Sequence, residues 1–227
     1  MTHHAFADDV SLARQLADDV AAALTRQLAA RGSAAIVVAG GRTPVAFLRE
    51  LAARPVHWSA VYVTLSDERC VTADDSASNR RLVRDTFAGT PASQAHLPDF
   101  DAKAGDAARQ WDAWLAAVPR PFAAVVLGMG DDGHLASLFP GMPGLSLALD
   151  TTRPPAVVEG LAPTEPRARL SLTLPALLDT DMLALHITGP AKLAVLQRAS
   201  APGSALEMPV RALLRQEKIP LEIYHAA

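Results

Sequence analysis

Four short, largely apolar runs that alternate with helix-type segments constrain the fold of this sequence most strongly. They cover residues 34–39, 58–65, 122–127 and 182–188. Apolar runs of this length, bounded by turn signals, are typical of buried strands. Strands that alternate with helices favour a mostly parallel sheet. The pattern therefore predicts an α/β fold with helices on both faces of the sheet.

The segments between these runs complete the expected architecture. Residues 8–31 carry a recurring leucine or valine at every fourth position, and Gly32 follows as a stop signal for this first helix. Further helices are predicted over residues 44–53, 79–87, 104–118, 191–199 and 207–216, with a strand-like stretch over 170–174, a last strand over 221–224 and a charged loop over 66–78. We find no repeat, linker or low-complexity segment, so residues 1–227 are expected to form one α/β domain.

Composition excludes several classes of protein. The net charge of −3 and the lack of a basic block argue against nucleic-acid binding. The N-terminus lacks the pattern of a secretory signal, and no apolar run approaches the roughly 20 residues of a membrane span. A single cysteine, Cys70, rules out an internal disulfide and fits a reducing compartment. We therefore expect a cytoplasmic protein that binds neither nucleic acid nor membrane. Separately, we expect a monomer or weak homodimer.

A glycine-rich loop with a histidine follows the apolar run at residues 122–127. This histidine loop spans residues 128–141 and reads Gly-Met-Gly-Asp-Asp-Gly-His-Leu-Ala-Ser-Leu-Phe-Pro-Gly. Ligand sites of open α/β folds cluster where chains leave the sheet, so His134 is a candidate general base. The alternative, a packed or solvated loop histidine, is disfavoured by the density of glycines around it. Asp132 or Asp67 is expected to fix its tautomer. Asp131, Asp132 and His134 match no metal-binding spacing, so we expect no metal.

A second loop, Gly40-Gly41-Arg42-Thr43-Pro44, follows the first apolar run. The glycine pair lets backbone N–H groups approach a ligand, and a helix that Thr43 would cap adds the positive end of its dipole. The loop therefore suits a phosphate or a polar sugar, and the alternative is an ordinary strand-to-helix turn with a threonine cap. It is neither a P-loop nor a dinucleotide fingerprint, which argues against ATP and dinucleotides.

Charged residues after the run at residues 58–65 form a third candidate group. Asp67, Glu68 and Arg69 are suited to orient a catalytic group or to hold sugar hydroxyls, or else form a solvated cluster. Asn79 is expected to begin the helix that packs under them. Cys70 beside Arg69 offers a nucleophile as an alternative, although a lone cysteine more often fills buried space.

Two cations later in the chain form a fourth group. Arg169 opens the strand-like stretch, and Lys192 lies in the first turn of the helix that follows Gly189-Pro190. A lysine there is unfavourable for the helix dipole unless an anion lies close by. With the glycine turn, these cations would form a phosphate pocket, whereas the alternative is two surface cations.

In this order, the four groups resemble the 6-phosphogluconolactonase family. The histidine loop looks like the family signature, and Asp67-Glu68-Arg69 followed by Ser78-Asn79 is a second match. The resemblance implies hydrolysis of 6-phospho-D-glucono-1,5-lactone to 6-phospho-D-gluconate, in the oxidative pentose phosphate pathway. It also implies the modified Rossmann-like fold shared with sugar-phosphate isomerases and deaminases, with no metal or organic cofactor. Arg42 departs from the family's usual first loop.

The resemblance and the residue patterns together assign roles. The catalytic set is His134, Asp132, Asp67 and Arg69, and the substrate-binding set is Gly40, Gly41, Arg42, Thr43, Glu68, Arg169 and Lys192. Two alternatives are glucosamine-6-phosphate deaminase, whose loop has a glutamate that is absent after His134 here, and a non-catalytic sugar-phosphate sensor. The sensor would have no need of His134.

Overall fold

The computed structural model describes residues 1–226. The strands are β1 (Thr2–Phe6), β2 (Ala34–Val38), β3 (Val61–Leu65), β4 (Asp67–Arg69), β5 (Ala124–Leu127), β6 (Val157–Leu161), β7 (Ala168–Leu172), β8 (Leu183–Thr188) and β9 (Leu221–Ala226). The helices are α1 (Asp9–Arg31), α2 (Val45–Ala52), α3 (Asn79–Phe87), α4 (Ala107–Ala116), α5 (Leu145–Leu149), α6 (Leu174–Leu177), α7 (Gly189–Ser200) and α8 (Val210–Arg215). Within this part of the chain, no helix is long and apolar enough to cross a bilayer.

Six strands form a parallel sheet in the order β1-β9-β8-β5-β2-β3. Every residue of β2 and of β5 is buried. Because successive side chains of a strand point to opposite faces, full burial means that both faces of the sheet are covered. The predicted α/β fold with a mostly parallel sheet is therefore confirmed.

The first helix, α1, shows how the sequence pattern produces this core. Asp8 caps it by accepting a hydrogen bond from the Ser11 amide at 2.7 Å, and Gly32 ends it in the left-handed region at a φ of 76°. Its four-residue repeat buries Leu12, Leu16, Val20 and Leu24 against the sheet and α2. Each buried leucine stabilises the fold by roughly 1.5–3 kcal/mol.

Several elements differ from the sequence-based expectation. The charged stretch at residues 66–78 is not all loop, because β4 pairs antiparallel with β7, and β6 completes this small second sheet. The polar strand β1 was not predicted, and it is held by its pairing with β9. Helices α5 and α6 lie in stretches whose sequence predicts irregular or strand-like structure. The final helix starts only at Val210, after Pro209 at its N-cap.

Strand order positions the loops that the sequence singled out. From β2 the chain moves outward to β3, and it later returns to place β5 on the other side of β2. Such a reversal opens a crevice at the carboxyl ends of parallel strands, where α/β proteins bind ligands. The glycine turn follows β2 and the histidine loop follows β5. Ser66 and Asp67 follow β3, and α7 follows β8, so all four segments meet at this crevice.

Candidate active site

A cavity of about 320 Å³ occupies the crevice. Its wall combines the turn at residues 40–44, the carboxyl end of β5 with the start of the histidine loop, and the end of β8 with the first turn of α7. Most of the predicted site residues line it: Gly40, Gly41, Arg42, Thr43, Asp67, Arg69, His134 and Lys192. Loops that lie far apart in the sequence therefore build one site.

His134 is held by Asp132 within the histidine loop. Nδ1 of His134 lies 2.6 Å from Oδ1 of Asp132, and the His134 amide donates to the same oxygen at 3.0 Å. Burial alone would raise the pKa of Asp132, but the hydrogen bonds from the ring and the amide of His134 outweigh it and lower that pKa below its usual value. An ionised Asp132 fixes a proton on Nδ1, so Nε2 keeps a lone pair.

Two backbone features mark the histidine loop around this ring. A Cβ on Gly130 would lie 2.0 Å from Nδ1 of His134, so only glycine fits at that position. Ala136 lines the cavity with a φ of 49°, the one positive φ of a non-glycine residue in the described chain. Conformations of this kind cost energy and cluster at functional sites.

Asp67 joins the histidine loop to β4 and does not touch His134 through a hydrogen bond in the described structure. Its carboxylate accepts from Ser66 Oγ at 2.7 Å and from Ser137 Oγ at 2.7 Å. Ser137 belongs to the histidine loop, so this carboxylate bridges two segments that are 70 residues apart in sequence. Of the two acids proposed to orient the imidazole, Asp132 is the one in contact with it.

The turn after β2 lines the cavity and carries unpaired backbone donors. Within residues 1–226, the amides of residues 40–43 donate no hydrogen bond to protein atoms, and Gly41 has a φ of 89°. A Cβ on Gly40 would lie 1.9 Å from Oδ1 of Asn79, whose amide donates to the Asp67 carbonyl at 2.8 Å. Asn79 thus packs beneath the site, as expected. Free N–H groups of this kind suit an anion.

The expected cap of the following helix is wrong. Thr43 was predicted to cap α2, but Pro44 is the N-cap residue and no side chain caps the helix. Residues 43 and 44 form a turn ahead of the helix, in which the Val45 amide donates to the Arg42 carbonyl at 3.3 Å. The exposed side chains of Arg42 and Thr43 therefore remain available at the cavity.

Three cations surround the cavity: Arg42, Arg69 and Lys192. Nη1 of Arg69 donates to the Ala77 carbonyl at 2.6 Å, while its Nε is buried without a partner in the described structure. Nζ of Lys192 lies 2.7 Å from Oδ1 of Asp131, an acid that is mostly exposed. Among the residues that line the cavity, three cations therefore stand against two carboxylates, Asp67 and Asp131.

Glu68 and Arg169, both predicted to bind substrate, do not line this cavity. The buried carboxylate of Glu68 accepts from the amides of Arg69, Asn79 and Arg80, each at 2.7 Å, and from Ser78 Oγ at 3.1 Å. Arg169 pairs with Arg69 across β4 and β7 and faces a neighbouring cleft. Burial and the charge of Arg69 lower its pKa. Both residues therefore lie next to the site without lining its cavity.

Cys70 has surroundings that oppose the nucleophile alternative. Burial and the charge of Glu159 raise the pKa of its thiol, so the thiolate is disfavoured. It lines the same neighbouring cleft as Arg169. In the described residues, no group of three or more histidine, cysteine, aspartate or glutamate side chains is arranged to hold a metal ion.

Sequence reasoning missed one cavity residue with chemical capacity. His186 lies buried on β8 and is one of the residues that line the cavity. The sequence predicts an apolar strand here, and one histidine within an apolar run does not by itself indicate a ligand site.

Comparison with known proteins identifies the family. The family model described as glucosamine-6-phosphate isomerases/6-phosphogluconolactonase matches residues 7–221. The chain belongs to this family. The resemblance seen in its motifs is thereby confirmed.

Individual members of the glucosamine-6-phosphate isomerase/6-phosphogluconolactonase family match over almost the whole chain. The 6-phosphogluconolactonase of Rhizobium meliloti strain 1021 is 45% identical over 98% of this chain and 97% of its own length. That of Pseudomonas putida is 42% identical, over 97% of this chain and 91% of its own. The crystal structure of a 6-phosphogluconolactonase from Shewanella baltica OS155 superposes with a TM-score of 0.92 at 37% identity, covering 100% of this chain and 98% of that chain.

Proposed function

We propose that this protein is a 6-phosphogluconolactonase that hydrolyses 6-phospho-D-glucono-1,5-lactone to 6-phospho-D-gluconate, with His134 as the general base. Full-length similarity to enzymes of that name supports the reaction. The observation that carries the mechanism is the His134–Asp132 pair, which lies at a cavity whose other wall offers cations and free N–H groups.

The phosphoryl group binds at the end of the cavity formed by the glycine turn and α7. The free amides of residues 40–43, the first turn of α7 and Lys192 form its site, and Arg42 lies at the rim. Charge-assisted hydrogen bonds to a dianion are the strong kind. Lys192 exchanges its bond with Asp131 for the phosphoryl oxygens. Arg169 and Glu68 act behind this wall rather than on the substrate.

Anchoring the phosphoryl group places the lactone carbonyl near His134. Nε2 of His134 takes a proton from water as the water oxygen bonds to C1, a step worth about 10²- to 10⁴-fold. Arg69 and N–H groups of the glycine loops stabilise the oxyanion that forms. The intermediate then collapses, the bond from C1 to the ring oxygen breaks, and the imidazolium returns the proton to that oxygen. Asp132 stabilises the imidazolium in between.

Two substrates distinguish this proposal from the alternatives. Purified protein is assayed for acid production from 6-phospho-D-glucono-1,5-lactone above the spontaneous rate, and for ammonia release from glucosamine 6-phosphate. We expect the first activity without the second. Ammonia release alone would make the protein a deaminase, and no activity on either substrate would favour the sensor.

The same proposal includes a metabolic pathway and a cellular compartment. A reaction on a phosphorylated sugar lactone belongs to the oxidative pentose phosphate pathway, and a single half-buried cysteine fits the reducing cytoplasm. A monomer or weak homodimer stays our prediction.

A further inference from the structure

His186 is a buried polar ring on a strand that is otherwise apolar up to its last residue. Its neighbours in β8 are leucine, alanine and isoleucine, all buried, and the histidine itself is only 3% exposed. A histidine at such a position costs free energy unless its polar atoms find partners, because burial removes them from water. The mechanism proposed above makes no use of it.

The ring lies beneath the glycine turn. It lines the cavity together with residues 40–44, Thr188 and Lys192. Its other neighbour is Phe47 of α2, the helix that follows the turn, and the two rings meet edge to face with centroids 6.3 Å apart. His186 is therefore part of the wall that the proposed function gives to the phosphoryl group.

Hydrogen bonding determines which ring nitrogen is available. Nδ1 is enclosed and has no hydrogen-bond partner in the described chain. A buried N–H without an acceptor is costly, so the proton favours Nε2. His186 lines the cavity and Nδ1 is buried, so Nε2 is the ring nitrogen left for a ligand.

The protonation state fits an anionic ligand. Burial lowers the pKa of His186 from 6.5 to about 4, so the ring is neutral near pH 7. The charged side chains around the same cavity are Arg42, Arg69, Lys192, Asp67, Asp131 and His134 when protonated. A neutral donor among them adds a hydrogen bond to an anion without adding a fourth permanent positive charge.

We propose that Nε2–H of His186 donates a hydrogen bond to a phosphoryl oxygen of the bound substrate, which makes His186 a direct determinant of specificity for the phosphorylated ligand. This assignment rests on the proposed function for the identity of the substrate. The recognition chemistry itself, a neutral N–H to a phosphoryl oxygen, is tested with inorganic phosphate alone.

Three variants separate a ligand contact from a structural role. His186→Leu removes the N–H at similar volume, and His186→Gln restores an N–H donor near the position of Nε2. His225→Leu is the matched control, because His225 lies on the adjacent strand β9, also has a ring nitrogen that is buried without a partner in the described chain, and does not line the cavity. Each variant is first checked for cooperative thermal unfolding.

Calorimetric binding of inorganic phosphate is the first readout. We expect His186→Leu to raise the dissociation constant about 10-fold, the value for a lost hydrogen bond to a charged group. His186→Gln should recover most of the affinity, and His225→Leu should bind like the wild type. An unchanged dissociation constant in a folded His186→Leu, or an equal loss in His225→Leu, would overturn the proposal.

Two further readouts keep the test independent of folding and of the reaction. In the wild-type protein with ¹⁵N-labelled histidine, added phosphate at constant pH should shift the ¹⁵N resonance of Nε2 of His186, and an unchanged resonance would contradict the contact.

For the lactone, KM of His186→Leu should rise more than kcat falls. If the wild type binds phosphate through His186 but does not hydrolyse the lactone, the proposed function fails and this assignment stands. If His186→Leu hydrolyses the lactone with an unaltered KM, the proposed function stands and this assignment fails.

Discussion

Two histidines at one cavity show how single-residue surroundings decide chemistry. His134 shares a hydrogen bond with Asp132, which leaves Nε2 as a base. His186 follows apolar residues in β8 and packs edge to face against Phe47, and burial lowers its pKa to about 4. The first ring therefore offers the Nε2 lone pair to a proton, whereas the second can only donate or accept hydrogen bonds in its neutral form.

The Asp132 contact should control the rate of the chemical step. In Asp132→Asn the side chain no longer carries the negative charge that fixes the tautomer of His134 and stabilises the imidazolium. We expect kcat to fall about 10²-fold while KM changes little, because the Asp132 charge stabilises the imidazolium that forms in the transition state and not the bound substrate. Steady-state kinetics on the lactone checks this, and a variant with wild-type kcat would remove Asp132 from the mechanism.

The space beside the His134 ring is a second control point. In Gly130→Ala the new Cβ would lie 2.0 Å from Nδ1, so the ring must move. A displacement near 1 Å can cost about 10²-fold in rate. We expect kcat to fall while inorganic phosphate binds as before. Gly105→Ala serves as the control because its Cβ would meet no atom within 4 Å. Equal kinetics in both variants would contradict the account.

At the scale of elements, a buried carboxylate fastens α3 to the small sheet. Glu68 on β4 accepts from the first amides of α3 and from its N-cap Ser78. Burial raises the pKa of Glu68, and these hydrogen bonds hold that rise back. The acid that the sequence suggested for sugar hydroxyls therefore caps a helix. Asn79, at the start of that helix, then supports the glycine turn.

Removing the Glu68 charge should weaken the fold more than the chemistry. Glu68→Gln replaces one acceptor oxygen with a donor that faces backbone N–H groups. We expect the free energy of unfolding to fall by about 2–4 kcal/mol, measured by urea denaturation. The folded variant should bind inorganic phosphate like the wild type. A large loss of phosphate affinity at unchanged stability would instead return Glu68 to the ligand site.

At the scale of the whole molecule, the buried His186 should make stability depend on pH. Its folded pKa is about 4 and its ordinary value is 6.5. Between these values the unfolded chain binds one more proton, so stability falls as the pH drops, by up to about 1.4 kcal/mol per pH unit. His186→Leu lacks this term. The stability of the wild type relative to the variant should rise from pH 4 to 6.5 in denaturation experiments, and parallel curves would argue against a neutral buried ring.

Local signals in the sequence predicted much of this molecule. The four-residue repeat of α1 and the apolar runs of β2, β5 and β8 each specify their own structure, and the histidine loop pointed to the crevice whose cavity His134 lines. Other features that the sequence did not predict depend on pairing between distant segments. Strand β4 exists because β7 binds it, and that register places Arg169 beside Arg69. The bond from Ser137 to Asp67 spans 70 residues, and no local pattern encodes it.

The central claim is that His134 activates water while other groups hold the phosphoryl end. The most direct measurement compares wild type and His134→Ala for lactone turnover and for inorganic phosphate binding in the same preparation. We predict that kcat falls about 10²- to 10⁴-fold while the phosphate dissociation constant stays within about twofold, a factor worth less than about 0.5 kcal/mol. Turnover by His134→Ala at the wild-type rate would contradict the account.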